Sequence, residues 1–223
     1  MDMVVRGVSR ATALPVAVMA FVPVVAAAGP FSGGYAGLQG AVFSSAEIDN
    51  PSEGVDYRFG ASDLGGRFDI VFGGGVQQNA LYWSGELAAT IGGELEETVA
   101  SGDVVFNGQQ VTDAIELGLS DGYRGAVRFG GVLREGTTLF YAKLAYGVRE
   151  FEATASRNGL TESDDDDISG PGYGFGLEYR PGDYPLFLRV EGMRYEYGDE
   201  TLFDDGEFEV TEHTTDIALG FTF

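Results

Sequence analysis

The feature that most constrains this chain is an alternation of period two that recurs along it and leaves one apolar face each time. Leu81, Trp83, Gly85, Leu87, Ala89 and Ile91 alternate with Tyr82, Ser84, Glu86, Ala88 and Thr90. Phe140, Ala142, Leu144, Tyr146 and Val148 alternate with Tyr141, Lys143, Ala145, Gly147 and Arg149. Tyr173, Phe175, Leu177 and Tyr179 are spaced by Gly172, Gly174, Gly176 and Glu178, and Ile217, Leu219, Phe221 and Phe223 by Asp216, Ala218, Gly220 and Thr222. A strand places successive side chains on opposite faces, so each run separates an apolar surface from one of small, polar or charged groups. No stretch beyond the N-terminal region reaches the ~18 apolar residues of a membrane-spanning helix. Any crossing of a bilayer therefore falls to strands.

Eight strands are expected, at about 31–43, 63–76, 80–92, 113–133, 138–151, 168–180, 185–198 and 209–223, the fourth of them part loop. Gln77 to Ala80, Arg134 to Thr137 and Pro181 to Tyr184 read as tight turns, whereas 44–62, 93–112, 152–167 and 199–208 are long and polar. Short turns at one end and long loops at the other predict an all-β fold, an eight-stranded antiparallel up-and-down transmembrane β-barrel of meander topology, with its turns in the periplasm and four acidic loops outside. The 35 Gly, 16 Phe and 11 Tyr suit such a fold. The absence of Cys removes disulfides, thiol nucleophiles and thiolate metal sites. With 13 Lys and Arg against 35 Asp and Glu, binding to nucleic-acid phosphates is excluded.

The N-terminus reads as an address. Arg6 and Arg10 precede an apolar stretch, Ala11 to Val25, and Ala26-Ala27-Ala28 supplies a small-residue cleavage site before Gly29. The expected organisation is a signal peptide over 1–28 and a barrel over 29–223.

Charge assigns the faces. Seven of the eleven Lys and Arg after residue 28 lie on the non-apolar faces: Arg67, Arg124, Arg128, Lys143, Arg149, Arg180 and Arg189. Asp69, Glu86, Glu178, Glu191 and Asp216 share those faces. A charge facing lipid at mid-depth costs several kcal/mol, so these faces are expected to line the lumen. Counted from the turns, Asp69, Glu86, Arg128, Lys143, Arg189, Glu191 and Asp216 reach similar depth. Together with Glu178 they are expected to form a lumen charge network, Glu178 pairing with Arg189 across the turn at Pro181, because an eight-stranded interior is about filled by side chains. The rival arrangement is a water-filled pore lined by unpaired charges.

The run from Phe31 to Gly40 (FSGGYAGLQG) resembles the first strand of the small outer-membrane protein family with OmpA-like or opacity-type barrels. Gly172 to Tyr179, followed after a turn by Leu188 to Tyr195, is similar to that family's penultimate hairpin. Ile217, Leu219, Phe221 and Phe223 resemble its C-terminal assembly signal. The resemblance spans residues 29–223. It implies residence in the outer membrane of a Gram-negative bacterium. The partners it implies are outer-membrane lipid, lipopolysaccharide and the barrel-assembly machinery; the extracellular partner stays open. Function is implied poorly, because one architecture hosts many roles.

Candidate chemistry is sparse. His213 is the only histidine, near the outer end of the last strand, with no Ser beside it on the same face of that strand, so a lipid-acting Ser–His pair is not expected. Asp164 to Asp167 form an acidic run in the third long loop without EF-hand spacing, read as a solvated segment open to weak, shared divalent cations. No helix follows the glycine runs, which removes a dinucleotide reading. Trp83 fits an interfacial aromatic belt. The expectation is a structural or surface-interaction protein, with no catalytic residues, metal site or cofactor. A narrow pore, a lipid A-modifying enzyme and a soluble lipocalin-type barrel are the rivals.

Overall fold

A computed structural model describes residues 29–50, 55–61, 67–93, 95–101, 104–106, 109–111, 114–133, 136–157, 160–182, 184–202 and 206–223. The expected signal peptide, 1–28, lies outside the described residues. The strands are β1 (Gly33–Asn50), β2 (Val55–Ala61), β3 (Phe68–Gln78), β4 (Leu81–Gly92), β5 (Leu95–Ser101), β6 (Val104–Phe106), β7 (Gln109–Val111), β8 (Ala114–Leu133), β9 (Thr138–Arg157), β10 (Leu160–Tyr179), β11 (Leu186–Leu202) and β12 (Gly206–Thr222).

Eight of these close a wall in meander order, β1-β3-β4-β8-β9-β10-β11-β12, and β12 pairs back onto β1. Every pairing is antiparallel. Closure removes the free edges that an open sheet would expose, and in lipid an unpaired edge would leave backbone groups without hydrogen bonds. The tight turns fall where expected. Asn79, between β3 and β4, takes a left-handed φ of 57°, and Gly136, between β8 and β9, a φ of 84°.

The hairpin end differs from the expectation. β9 and β10 continue to Arg157 and from Leu160, so most of 152–167 is paired strand rather than loop. Asp164 to Asp167 accordingly lie in β10, opposite Ala153, Glu152, Phe151 and Glu150 of β9. β8 is strand throughout, with an irregularity between Leu119 and Gly122 where part loop was expected. Segments 44–62 and 93–112 carry the end of β1 paired antiparallel with β2, β5, which pairs with β8, and the small β6–β7 hairpin. The reason is physical: above the membrane neither face needs to be apolar, so the alternation fades while the backbone ladder continues.

The apolar faces point outward. Leu38, Phe72, Leu87, Phe129, Leu144, Leu177, Leu219 and Ile217 are all exposed, whereas their strand neighbours Gln39, Val71, Glu86, Arg128, Lys143, Glu178, Ala218 and Asp216 are buried. Exposure on this scale by large hydrophobic groups, in a continuous belt, is the surface of a protein solvated by lipid. It removes the soluble lipocalin-type alternative, in which these side chains would fill the interior.

Candidate functional site: the charged lumen

Inward glycines make the lumen possible. A Cβ at Gly73, Gly75, Gly176 or Gly172 would collide with the rings of Tyr35, Tyr82, Tyr141 and Tyr195 respectively. Each tyrosine thus lies across a neighbouring strand that has no side chain there; the hydroxyls of Tyr35, Tyr82 and Tyr141 reach the charges, and the Arg124 guanidinium lies 5.7 Å from the Tyr195 ring centre. All seven expected lumen cations are buried, as are the five expected carboxylates.

They form two layers. Nearer the turns, Arg189 Nη1 donates to Glu86 Oε2 at 2.5 Å, and its Nη2 and Nε donate to Glu178 Oε2 at 2.9 and 3.1 Å. Arg128 Nη1 donates to the same Glu178 oxygen at 2.8 Å, and Arg180 Nε to Glu178 Oε1 at 2.7 Å. Lys143 Nζ bridges Glu86 and Glu191 at 2.6 and 2.8 Å. Tyr35 donates to Glu86 at 2.8 Å and Tyr141 to Glu191 at 2.5 Å. The Arg128 guanidinium lies 4.7, 5.6 and 5.0 Å from the ring centres of Tyr35, Tyr82 and Tyr141, within cation–π range. In the closed order β11 and β4 are four strands apart, so the Arg189–Glu86 contact spans the full diameter.

Nearer the hairpins, Arg67 donates to Asp69 at 3.1 Å, Glu212 at 3.1 Å and Asp216 at 2.8 Å. Arg124 pairs with Asp69, and Arg149 donates to Glu212 at 3.2 Å. Tyr197 and Thr214 complete the shell on Glu212 and Asp216 at 2.8 and 2.9 Å. Asp69 does not share the depth of Glu86 as counting from the turns had implied: it stands opposite Thr90, four positions toward the hairpins from Gly73, which faces Glu86, whereas Asp216 is the register partner of Glu191 yet bonds to Arg67. The stagger that closing a barrel imposes shifts depth between strands. Sequence reasoning also missed Glu212, although it lies on the same face of the last strand as Thr214 and Asp216.

The turn end is capped. Phe31 is fully buried against Tyr82, Leu139 and Tyr141, its backbone N–H donates to Gln77 Oε1 at 3.1 Å, and the Arg180 guanidinium lies 4.6 Å from its ring centre. Arg180 Nη1 also donates to the Pro30 carbonyl at 2.9 Å.

Outside the wall, His213 is half-buried and stands opposite Ser45 of β1 and Arg194 of β11. The serine absent from its own strand is supplied by its neighbour, but among the described residues no hydrogen bond joins the two. Ile217, Leu219, Phe221 and Phe223 are exposed on the apolar belt, and Trp83 is exposed near the turn end. Among the described residues no group of three or more His, Asp or Glu side chains is arranged to hold a metal ion.

A model of the outer membrane protein β-barrel domain matches residues 12–223. The chain belongs to the outer membrane protein β-barrel domain family. Its setting is therefore the outer membrane. Solved structures of similar fold include the attachment invasion locus protein Ail of Yersinia pestis, at 15% identity and TM-score 0.47, covering 86% of this chain and 99% of that one. Neisserial surface protein A follows at 10% identity and TM-score 0.43, covering 86% and 98%. The outer-membrane protease OmpT of Escherichia coli is 9% identical, with TM-score 0.47 and coverage of 89% and 99%. No curated protein matches the chain in sequence.

Proposed function

We propose that this β-barrel family member is a closed, non-catalytic barrel that holds acidic hairpins at the cell surface in a structural or surface-interaction role. The observation that carries the closed-lumen reading is the Arg189–Glu86 ion pair across the diameter, flanked by Arg128, Lys143, Glu178 and Glu191. A hydrated ion following the axis would have to separate buried charges that are hydrogen-bonded to one another. The surface-interaction reading draws on the exposed carboxylates above the belt, among them Glu152, Asp165, Asp166, Asp167 and Glu209. Their field favours cationic partners or shared divalent cations over nucleic acid. The non-catalytic reading draws on Ser45 and His213, which are adjacent in register yet have neither a mutual hydrogen bond nor a carboxylate hydrogen-bonded to the imidazole among the described residues.

The test is conductance in planar bilayers. The wild-type protein is expected to show no steady current, and Arg189→Ala to introduce one. A large, stable wild-type current that Arg189→Ala leaves unchanged would sink the closed barrel and promote the pore. Lipid A incubated with the protein should keep its mass.

A further inference from the structure

Backbone ladders hold the wall together, but the four residues before β1 are held differently. The chain leaves the wall at Gly33, which takes a φ of 113° that favours glycine, and a Cβ there would meet the Phe223 carbonyl oxygen at 2.6 Å. Residues 29–32 form a tight turn, closed by the Ser32 N–H donating to the Gly29 carbonyl at 2.9 Å. No strand among the described residues pairs with this turn.

Its anchors stand on opposite sides of the mouth. On β3, Gln77 accepts the Phe31 N–H through Oε1 at 3.1 Å and donates its own backbone N–H to Ser32 Oγ at 3.0 Å. Arg180, one residue past β10, donates from Nη1 to the Pro30 carbonyl at 2.9 Å. In the closed order β3 and β10 are four strands apart, half of the eight-strand wall. A segment bonded to both therefore crosses the mouth along a diameter. Pro30 also reaches the β8–β9 turn, where a Cβ at Gly136 would lie 3.3 Å from its Cγ. In the middle sits the Phe31 ring, fully buried and edge-on to Tyr82, with the Arg180 guanidinium over it.

Two barriers thus lie in series at this end. Passing the charged layer means separating buried ion pairs. Lifting the turn breaks no wall ladder: it gives up the three hydrogen bonds to Gln77 and Arg180 and the burial of one ring. Segments held in this way open locally, at a fraction of the cost of unfolding the whole.

We propose that residues 29–32 are a stopper that undocks as a unit, and that it, not the charged layer behind it, keeps small solutes out of the turn-end half of the lumen. This deepens the closed-barrel reading, on which it rests: the charged layers bar passage, and the stopper bars entry.

The chain has no Cys, so a single introduced thiol reports accessibility without background. Ser84, on the inward face of β4 one step deeper than Tyr82, is buried, and so is Thr214 in the layer nearer the hairpins. Full-length Ser84→Cys and Thr214→Cys barrels in detergent, their folding checked by heat-modifiable gel mobility, are treated with the small anionic reagent 2-sulfonatoethyl methanethiosulfonate. Labelling is followed by mass spectrometry. Adding Phe31→Ala is expected to speed labelling of Ser84→Cys at least about tenfold, the effect of abolishing a local closed state, and to leave Thr214→Cys protected. Gln77→Ala, which keeps the ring and removes one anchor, should speed it as well. Unchanged rates at Ser84→Cys with either addition overturn the proposal, because the charged layer is then the barrier. Acceleration by Phe31→Ala alone overturns movement as a unit and leaves the ring a fixed filler. Faster labelling of Thr214→Cys in the Phe31→Ala barrel overturns the proposal as general loosening. Rapid labelling of Thr214→Cys with Phe31 intact sinks the closed lumen; the stopper falls with it only if Ser84→Cys is then equally fast with Phe31 in place.

Discussion

Removing a carboxylate from the lumen layer nearer the turns should harm the barrel more than removing a guanidinium. That layer holds four cations, Arg128, Lys143, Arg180 and Arg189, against three anions, Glu86, Glu178 and Glu191. Glu178 alone accepts from Arg128, Arg180 and Arg189. Glu178→Gln therefore leaves three buried cations with a weakened partner and doubles the excess positive charge, at a cost on the order of 3–5 kcal/mol, the range for breaking a buried pair. Arg189→Met instead makes the charges equal. Glu178 keeps Arg128 and Arg180, and Glu86 keeps Lys143 and Tyr35, so the loss reduces to hydrogen bonds that are largely replaced, about 1–2 kcal/mol. In the double variant the charges are unequal again by one, and the combined loss should fall short of the sum. Urea unfolding in lipid vesicles, followed by the fluorescence of the single Trp83, measures all three. If Arg189→Met proves the more damaging single change, the charge-balance reasoning is wrong.

Two further perturbations address the outer wall. Leu87 is 65% exposed on the belt, so Leu87→Arg should cost about 2–4 kcal/mol if it sits near the midplane, whereas Leu87→Phe should leave the urea midpoint nearly unchanged. Phe223→Ser should slow insertion while leaving export intact, read as periplasmic accumulation of unfolded chain; undiminished yield of folded protein in the membrane would dismiss Phe223 as part of an assembly signal.

Which residues face the lumen was legible because parity is local: Glu86 and Lys143 differ from Leu87 and Leu144 by one position, and lipid tolerates only one of the two choices. Three things were not legible. Depth and partner depend on register and stagger: Asp69 stands opposite Thr90 rather than near Glu86, and both it and Asp216 pair with Arg67. Partners across the lumen come from distant segments, so the participation of Tyr35, Tyr82 and Tyr141 was invisible, although Tyr82 and Tyr141 already shared faces with Glu86 and Lys143. Strand neighbours such as Ser45 and His213, 168 positions apart in the chain, meet only because the barrel closes. One consequence is practical: Glu86 is bonded to Tyr35, Lys143 and Arg189, so Glu86→Gln should disturb three partners at once.

The cap at Phe31 has a bearing on the order of folding events. Its seat is assembled from Tyr82 of β4, Leu139 and Tyr141 of β9 and the side chain of Arg180 just past β10. The two anchors of the segment lie 46 and 150 residues away in sequence, at Gln77 and Arg180. Contacts of such long range form only after the intervening chain has been fixed, because the entropy of closing those loops must be overcome first. The earliest part of the barrel to be synthesised is thus among the last to settle, and a docked Phe31 reports that strands on the far side of the cylinder are already in register.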